Sequence, residues 1–114
     1  MLAFTAAAQC AAAGGWYVLT PPIRDVERCV AMDKLTPSDC ANEGPDHNAP
    51  LGRWHQRSAF DKAADCEKEL AEIGSQAEAY LRKSPITAKN AKMVAVQYAI
   101  MHGRCVGTDD PRLK

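Results

Sequence analysis

The sequence lacks the short motifs that mark the common catalytic and cofactor-binding sites. It contains no Gly-rich phosphate loop and no GxSxG turn for a serine nucleophile. It has no CxxC pair, which argues against a zinc ribbon or a thioredoxin-like site, and no CxxCH, which excludes covalent c-type haem. From these absences we predict a protein that is not an enzyme, has no catalytic residue and holds neither a metal ion nor a cofactor.

An excess of charge of one sign is also missing. The chain has 114 residues, with 14 basic and 14 acidic side chains, so its formal net charge at pH 7 is zero. Nucleic-acid binding needs a basic surface that releases counterions from the phosphate backbone, and the sequence has no basic stripe. We therefore expect no nucleic-acid partner. The length allows one domain at most.

Cysteine, in contrast, is frequent for this length. The five cysteines are Cys10, Cys29, Cys40, Cys66 and Cys105. Reducing compartments keep thiols unpaired, whereas exported proteins use them in disulfides. The odd number leaves one thiol over when the other four are paired. This usage predicts an exported protein that is stabilised by at least one disulfide.

Residues 1–15 form a small, apolar and uncharged leader, MLAFTAAAQCAAAGG. The leader is shorter than the roughly 20 apolar residues of a membrane span, and it lacks the basic start of a complete signal peptide. We interpret it as a remnant export signal in which Cys10 accepts the lipid of a bacterial lipoprotein, although Gln9 departs from the small residues expected there. The alternative is an Ala-rich leader with a spare thiol. The expected location is the bacterial periplasm, or the membrane on its periplasmic side through Cys10.

Residues 16–57 are predicted to be an irregular segment with short helices. Five apolar or β-prone residues, WYVLT at 16–20, precede a diproline and indicate a short extended stretch. Exposure of Trp16 and Tyr17 would be costly, so we expect them to pack on the helical core, on lipid headgroups or on a partner. Trp54 is expected to cap the core, with a role as an exposed binding anchor as the alternative.

Two short helices and a local disulfide are predicted within this segment. The apolar spacing in residues 23–34 fits a short amphipathic helix. Thr36, followed by proline and an acidic residue, is typical of a helix start. Residues 42–50 are rich in turn formers and are predicted to be a loop. Cys29 and Cys40 lie on either side of the break between the helices, so a disulfide is feasible; the alternative is two unpaired buried thiols.

Residues 58–114 are predicted to be a helical hairpin with a C-terminal tail. Ser58 opens a sequence that resembles a capping box, and Ser84 with the following proline has the form of a second helix start. Because two long helices with a tight link pack antiparallel, the predicted fold is mainly α: a hairpin of about 58–83 and 85–105, on which the N-terminal segment packs. The apolar stripes are Ala59, Ala63, Cys66, Leu70, Ile73, Ala77 and Tyr80, then Ala91, Val94, Tyr98, Met101 and Cys105.

A disulfide between Cys66 and Cys105 is predicted from the register of this hairpin. The link centres near residue 84 or 85, about 18 residues after Cys66 and about 20 before Cys105. At about 1.5 Å per residue the two thiols come level within one helical turn, and both lie on the inward-facing stripes. The bond is therefore expected to hold the two helices together.

Two further groups of residues admit a metal-binding interpretation that the sequence does not favour. Cys40, His47 and His55 are seven and eight positions apart, which matches no common zinc pattern. Asp109 and Asp110 lack the Gly and the final Glu of the twelve-residue calcium loop. We expect these two to be solvated acids near the C-terminus.

Three segments stand out in combination: GGWYVLTPP at 14–22, APLGRW and SAFDKAADCE within 49–67, and RCVGTDDPRLK at 104–114. Together they resemble a group of small uncharacterised bacterial lipoprotein-like proteins, over about half of the chain. The resemblance implies export, and it implies the same pairing of Cys66 with Cys105. Residues 26–45, which carry Cys29 and Cys40, depart from the pattern of the group. The resemblance implies no activity.

The leading functional hypothesis is a non-enzymatic small envelope protein, an accessory or structural subunit that binds another envelope protein or complex. It follows from the cysteine usage, the leader and the lack of a catalytic set. One alternative is a carrier of a small ligand or a metal ion, which would use the cleft between the hairpin and the N-terminal segment. The other is a thiol redox protein in which Cys29 and Cys40 form a switchable pair.

Overall fold

The structure is a computed structural model that describes residues 15–114. Cys10, the predicted lipidation site, lies outside the described residues. Within this range the fold is mixed α/β, with four α-helices and a three-stranded antiparallel sheet, so the predicted mainly α class is wrong. Among residues 15–114, every helix is too short or too polar to span a lipid bilayer. In chain order the elements are β1 (Trp16–Thr20), α1 (Val26–Met32), α2 (Pro37–Asn42), a 3-10 turn (Leu51–Arg53), β2 (His55–Phe60), α3 (Ala63–Lys83), α4 (Ala91–Met101), β3 (Arg104–Gly107) and a second 3-10 turn (Pro111–Leu113).

Strand β1 is the centre of the sheet, because it pairs with β2 on one side and with β3 on the other. The extended stretch predicted at 16–20 is confirmed as this strand. Its last three residues are buried, so their backbone groups need hydrogen-bond partners on both edges. Residues 55–60 and 104–107 supply these partners from distant parts of the chain.

Both ends of the predicted hairpin belong to this sheet. Ser58 does not cap a helix; it lies in β2, and its buried side-chain oxygen has no hydrogen-bond partner among residues 15–114. Cys105 lies in β3 rather than at the end of the second helix. Strand pairing overrides the capping signal at Ser58, because the buried backbone groups of β1 would otherwise lack hydrogen-bond partners. Helix α3 accordingly begins at Ala63.

The predicted helix start at Ser84 is also wrong, because α4 begins at Ala91. The side chain of Asn90 holds the intervening turn. Its Oδ1 accepts a hydrogen bond from the Thr87 backbone N–H at 2.8 Å, and its Nδ2 donates to the Pro85 carbonyl at 2.8 Å. What remains of the predicted hairpin is the packing of α3 against α4.

Two clusters of buried side chains form the core. The first joins α1, α2 and α4 and consists of Val26, Cys40, Ala41, Ala91, Val94 and Ala95. The second covers one face of the sheet and consists of Leu19, Leu51, Trp54 and Val106. The N-terminal segment thus contains the two short helices expected from the sequence, and both contribute buried residues to the core. Its second helix begins as predicted, since the Thr36 hydroxyl accepts a hydrogen bond from the Asp39 backbone N–H at 3.1 Å.

The predicted apolar stripe is right for α3 and only partly right for α4. In α3, Cys66 and Ala77 are buried and the other members of the stripe are half-buried. In α4, Ala91 and Val94 are buried as predicted. Met101 is 47% exposed, because the helix ends at this residue and the chain turns into β3.

Both predicted disulfides are present. Cys29 and Cys40 join α1 to α2, with their Cα atoms 5.8 Å apart. Cys66 and Cys105 join the first turn of α3 to β3, with a Cα separation of 6.0 Å. Both separations are usual for disulfides. The second bond connects a helix to the sheet and not, as predicted, two helices.

Candidate functional site

The aromatic residues predicted as partner-binding anchors contribute mainly to the core. Trp54 is 8% exposed, its indole N–H donates to the Ala49 carbonyl at 2.9 Å, and the Arg104 guanidinium carbon lies 5.3 Å from its ring centroid. These contacts favour the core interpretation of Trp54. Trp16 and Tyr17 are half-buried at neighbouring positions of β1, so their side chains face opposite sides of the sheet. The three aromatic residues therefore do not form one binding surface.

The residues with metal-like spacing are not brought together. Cys40 is disulfide-bonded, His55 lies on β2, and His47 instead contacts His102, with ring centroids 4.5 Å apart. Residues 15–114 contain no group of three or more His, Cys, Asp or Glu side chains that is placed to hold a metal ion. Partial burial, followed by the charges of His102 and Arg24, lowers the pKa of His47.

The acidic pair near the C-terminus has a structural role at Asp110. Its carboxylate accepts hydrogen bonds from the Arg112 guanidinium at 2.6 Å and from the Arg112 backbone N–H at 2.9 Å, and it caps the second 3-10 turn. These two bonds, the side-chain one first, lower the pKa of Asp110 to about 2. Asp109 is exposed to solvent, as the sequence predicts.

Strand β2 has a free outer edge that the sequence does not predict. Among residues 15–114 it pairs only with β1, so it is an outer strand of the described sheet. The side chains of His55, Gln56, Arg57 and Ala59 are exposed. Within residues 15–114, no hydrogen bond reaches β2 apart from its pairing with β1. The backbone groups on its outer side are therefore accessible to another strand.

A β-bulge shapes the start of this strand. Gln56 and Ser58 pair with successive residues of β1, so Arg57 is an extra residue without a partner on that strand. Because paired residues share a face of the sheet, the bulge places His55 and Ser58 on the same face although they are three positions apart. Arg57 and His55 line the same cleft on this side.

A cleft of about 360 Å³ lies between the sheet and α4 beside the bulge. Its lining comes from the end of β1 and the loop after it, from β2 and from α4: Thr20, Pro21, Pro22, Ile23, His55, Arg57, Val96 and Ala99. Five of these residues are apolar and none is acidic. The Arg57 side chain forms no ion pair or hydrogen bond with another residue in 15–114. The cleft therefore combines an apolar lining with unbalanced positive charge.

A larger hollow of about 600 Å³ lies at the opposite end of β1, beside Gly15. Its lining includes Asp61, Lys62 and Asp65, which are exposed. Two acidic side chains outnumber one lysine there, so the hollow offers no site for an anion, and residues 15–114 hold no group of acidic, His or Cys side chains placed to bind a metal cation. The outer edge of β2 and the cleft beside α4 are therefore the two candidate sites.

The chain matches no protein-family model, no curated protein and no solved structure. The resemblance to small bacterial lipoprotein-like proteins therefore stays a prediction.

Proposed function

We propose that the chain is a non-enzymatic accessory or structural subunit of the bacterial cell envelope that binds an extended segment of another protein along β2. The observation that carries this proposal is the free outer edge of β2, whose backbone groups have no partner on that side among residues 15–114. A sheet edge binds an extended segment by adding it as a further strand, because the backbone hydrogen bonds continue the ladder. Such recognition selects a protein partner.

The rest of the fold supports this edge as a rigid platform. β2 pairs with β1, in which Val18 and Leu19 are buried. On the far side of the sheet, the disulfide between Cys66 and Cys105 ties β3 to α3. A rigid edge loses little conformational entropy when another strand binds, which lowers the free-energy cost of association.

The bulge at Arg57 restricts which strands can pair with this edge. Bulges and charged side chains on an outer strand are the usual protection against indiscriminate pairing. After the bulge, Ser58–Phe60 pair regularly with β1. Ala59 is exposed in this stretch, and its small side chain allows close approach of another backbone. The edge therefore favours a selected partner over self-association.

The two disulfides support an oxidising compartment, and the periplasm is the one that we propose. Cys40 is 2% exposed and belongs to the first core cluster, which supports a structural role for its bond to the half-buried Cys29 over the alternative of a switchable redox pair. Anchoring of the leader to the membrane through Cys10 is part of the same proposal. Cell fractionation tests it: a cytoplasmic chain with free thiols would contradict the envelope location.

Site-specific photo-crosslinking tests the binding proposal. A benzophenone amino acid replaces Gln56 on β2 or, as the matched control, Gln76 on the exposed side of α3, in the full chain expressed in its native cells. We expect a discrete adduct from position 56 and none from position 76. Ala59→Pro should weaken the adduct, because proline removes a backbone donor from the strand. Adducts of equal strength from both positions, or none from position 56, would contradict the proposal.

A further inference from the structure

We infer that the cleft beside α4 binds a small apolar monocarboxylate of the fatty-acid class, with its carboxylate on Arg57 and its hydrocarbon part between the diproline and α4. This site shares Arg57 with β2 but lies between the sheet and α4 rather than along the outer edge, and it does not depend on the protein partner proposed above. Three observations carry the inference: the size and lining of the cleft, the fixed conformation of its wall, and its unbalanced positive charge.

The cleft has the size and the lining of a small-molecule site. Its volume is about 360 Å³, and ligand pockets usually measure about 300–1,000 Å³. Pro21 is fully buried and Ala99 is 2% exposed, so the floor is part of the core. Ile23 and Val96 are half-buried and complete the two walls. Apolar groups of a ligand can therefore leave water in this cleft, which is favourable.

Hydrogen bonds to the loop after α2 hold the wall that residues 21–23 form. The Asp46 backbone N–H donates to the Pro22 carbonyl at 2.8 Å, and the Arg24 backbone N–H donates to the Gly44 carbonyl at 2.7 Å. The Arg24 guanidinium also binds the Asp46 carboxylate at 3.1 Å. The wall is thus preformed, and a ligand can bind without ordering this segment.

The charge of the cleft selects an anion. Arg57 and His55 are exposed at its rim, and no acidic residue lines it. A guanidinium binds both oxygens of a carboxylate side by side, which it cannot do with a hydroxyl group. Arg57 is the one permanently charged side chain in the lining, so it suits a ligand with a single negative charge. Together with the apolar lining, this charge selects an apolar monocarboxylate.

Calorimetric titration of the purified, oxidised full chain with octanoate tests the inference. We expect saturable binding of octanoate and clearly weaker binding of 1-octanol, which is a neutral molecule with a hydrocarbon chain of the same length. Arg57→Gln should weaken octanoate binding about tenfold or more, because it removes a charge-assisted contact, and should leave octanol binding unchanged. Arg53→Gln is the matched control: Arg53 is also exposed but lies outside the cleft, so octanoate affinity should not change.

Val96→Phe gives a second test, because it fills the cleft and keeps its charge. It should abolish binding of octanoate and octanol while photo-crosslinking at position 56 stays as in the wild type. Equal affinities for the two compounds, or an unchanged octanoate affinity in Arg57→Gln, would overturn the role of the carboxylate. Absence of octanoate binding at millimolar concentration would overturn the ligand class, and so would binding of a peptide with an apolar C-terminal residue in its place.

Discussion

Single residues decide how closely the elements of this fold approach each other. Gly44 lies where the loop after α2 meets α4: a Cβ atom at this position would lie 2.7 Å from Ala95 Cβ and 3.1 Å from the Ala41 carbonyl oxygen. Neither atom can move without a shift of the backbone in the first core cluster. Gly74, within α3, has open space, since no atom lies within 4 Å of the same position. The two glycines therefore predict opposite responses to one substitution.

We expect Gly44→Ala to lower the free energy of unfolding by about 1–3 kcal/mol, because overpacking pushes α2 and α4 apart. Gly74→Ala should raise it by up to about 1 kcal/mol, because alanine favours a helix more than glycine does. Denaturant unfolding followed by far-ultraviolet circular dichroism measures both changes. If Gly44→Ala left the free energy of unfolding unchanged or raised it, the crowding at Gly44 would not be real.

At the scale of elements, the sequence predicts structure where the signal is local. The cap at Thr36 and the apolar stripe of α3 depend on residues within a few positions of each other, and both are found. β2 and β3 have no comparable signal, because the first is mostly polar and the second has four residues. Both become strands because β1 needs partners on its two edges. The free edge and the cleft depend on these distant pairings, so neither could be predicted from local patterns.

The predicted pairing of Cys66 with Cys105 is confirmed although α4 ends at Met101, before it reaches Cys105. A Cβ atom at Gly103 would lie 2.8 Å from Leu70 Cδ1, so the chain leaves α4 beside Leu70. Cys66 is one helical turn before Leu70, at about 1.5 Å per residue along the axis. Cys105 follows Gly103 by two extended residues, at about 3.3 Å each. The distance from Leu70 back to Cys66 and the distance from Gly103 on to Cys105 are therefore nearly equal. Cys105 thus reaches the level of Cys66 along the axis of α3.

The second 3-10 turn should lose its cap at low pH. The bonds from Arg112 lower the pKa of Asp110 from 3.8 to about 2. Because the pKa is lowered, the ionised Asp110 carboxylate stabilises the turn fully at a pH above its ordinary pKa of 3.8. This stabilisation is lost as the pH falls through about 2. In an NMR titration we expect a midpoint near 2 for the Asp110 carboxyl. Arg112→Gln should raise it only part of the way to 3.8, because the backbone bond persists. An unchanged midpoint in this variant would contradict the assigned cap.

At the scale of the whole molecule, both ends of the described chain contribute to the sheet and to the core cluster that covers it. β1, near its start, lies between β2 and β3, and Leu113 packs on the cluster that covers the sheet. The two disulfides hold different parts of this arrangement. The bond between Cys29 and Cys40 connects neighbouring short helices, one of which supplies Cys40 to the first core cluster. The bond between Cys66 and Cys105 connects the helical layer to the sheet.

The two disulfides should therefore contribute unequally to stability. A disulfide restricts the unfolded chain, and the restriction grows with the length of the loop that it closes. The sequence separations are 39 residues for Cys66–Cys105 and 11 for Cys29–Cys40. The chain-entropy model then gives about 4 kcal/mol for the longer loop and about 3 kcal/mol for the shorter one. Packing hardly distinguishes the two bonds, because each joins a buried cysteine, Cys66 or Cys40, to a half-buried one.

Double substitution measures what each disulfide contributes, because it removes the bond without leaving a free partner thiol. In a Cys10→Ser background, which prevents exchange with the spare cysteine, we expect Cys66→Ala/Cys105→Ala to lower the free energy of unfolding by about 1 kcal/mol more than Cys29→Ala/Cys40→Ala. Guanidinium unfolding followed by tryptophan fluorescence measures the difference. A larger loss from the shorter loop would show that packing around Cys40 outweighs chain entropy, and the sheet would then be held mainly by its strand pairing and its apolar cluster.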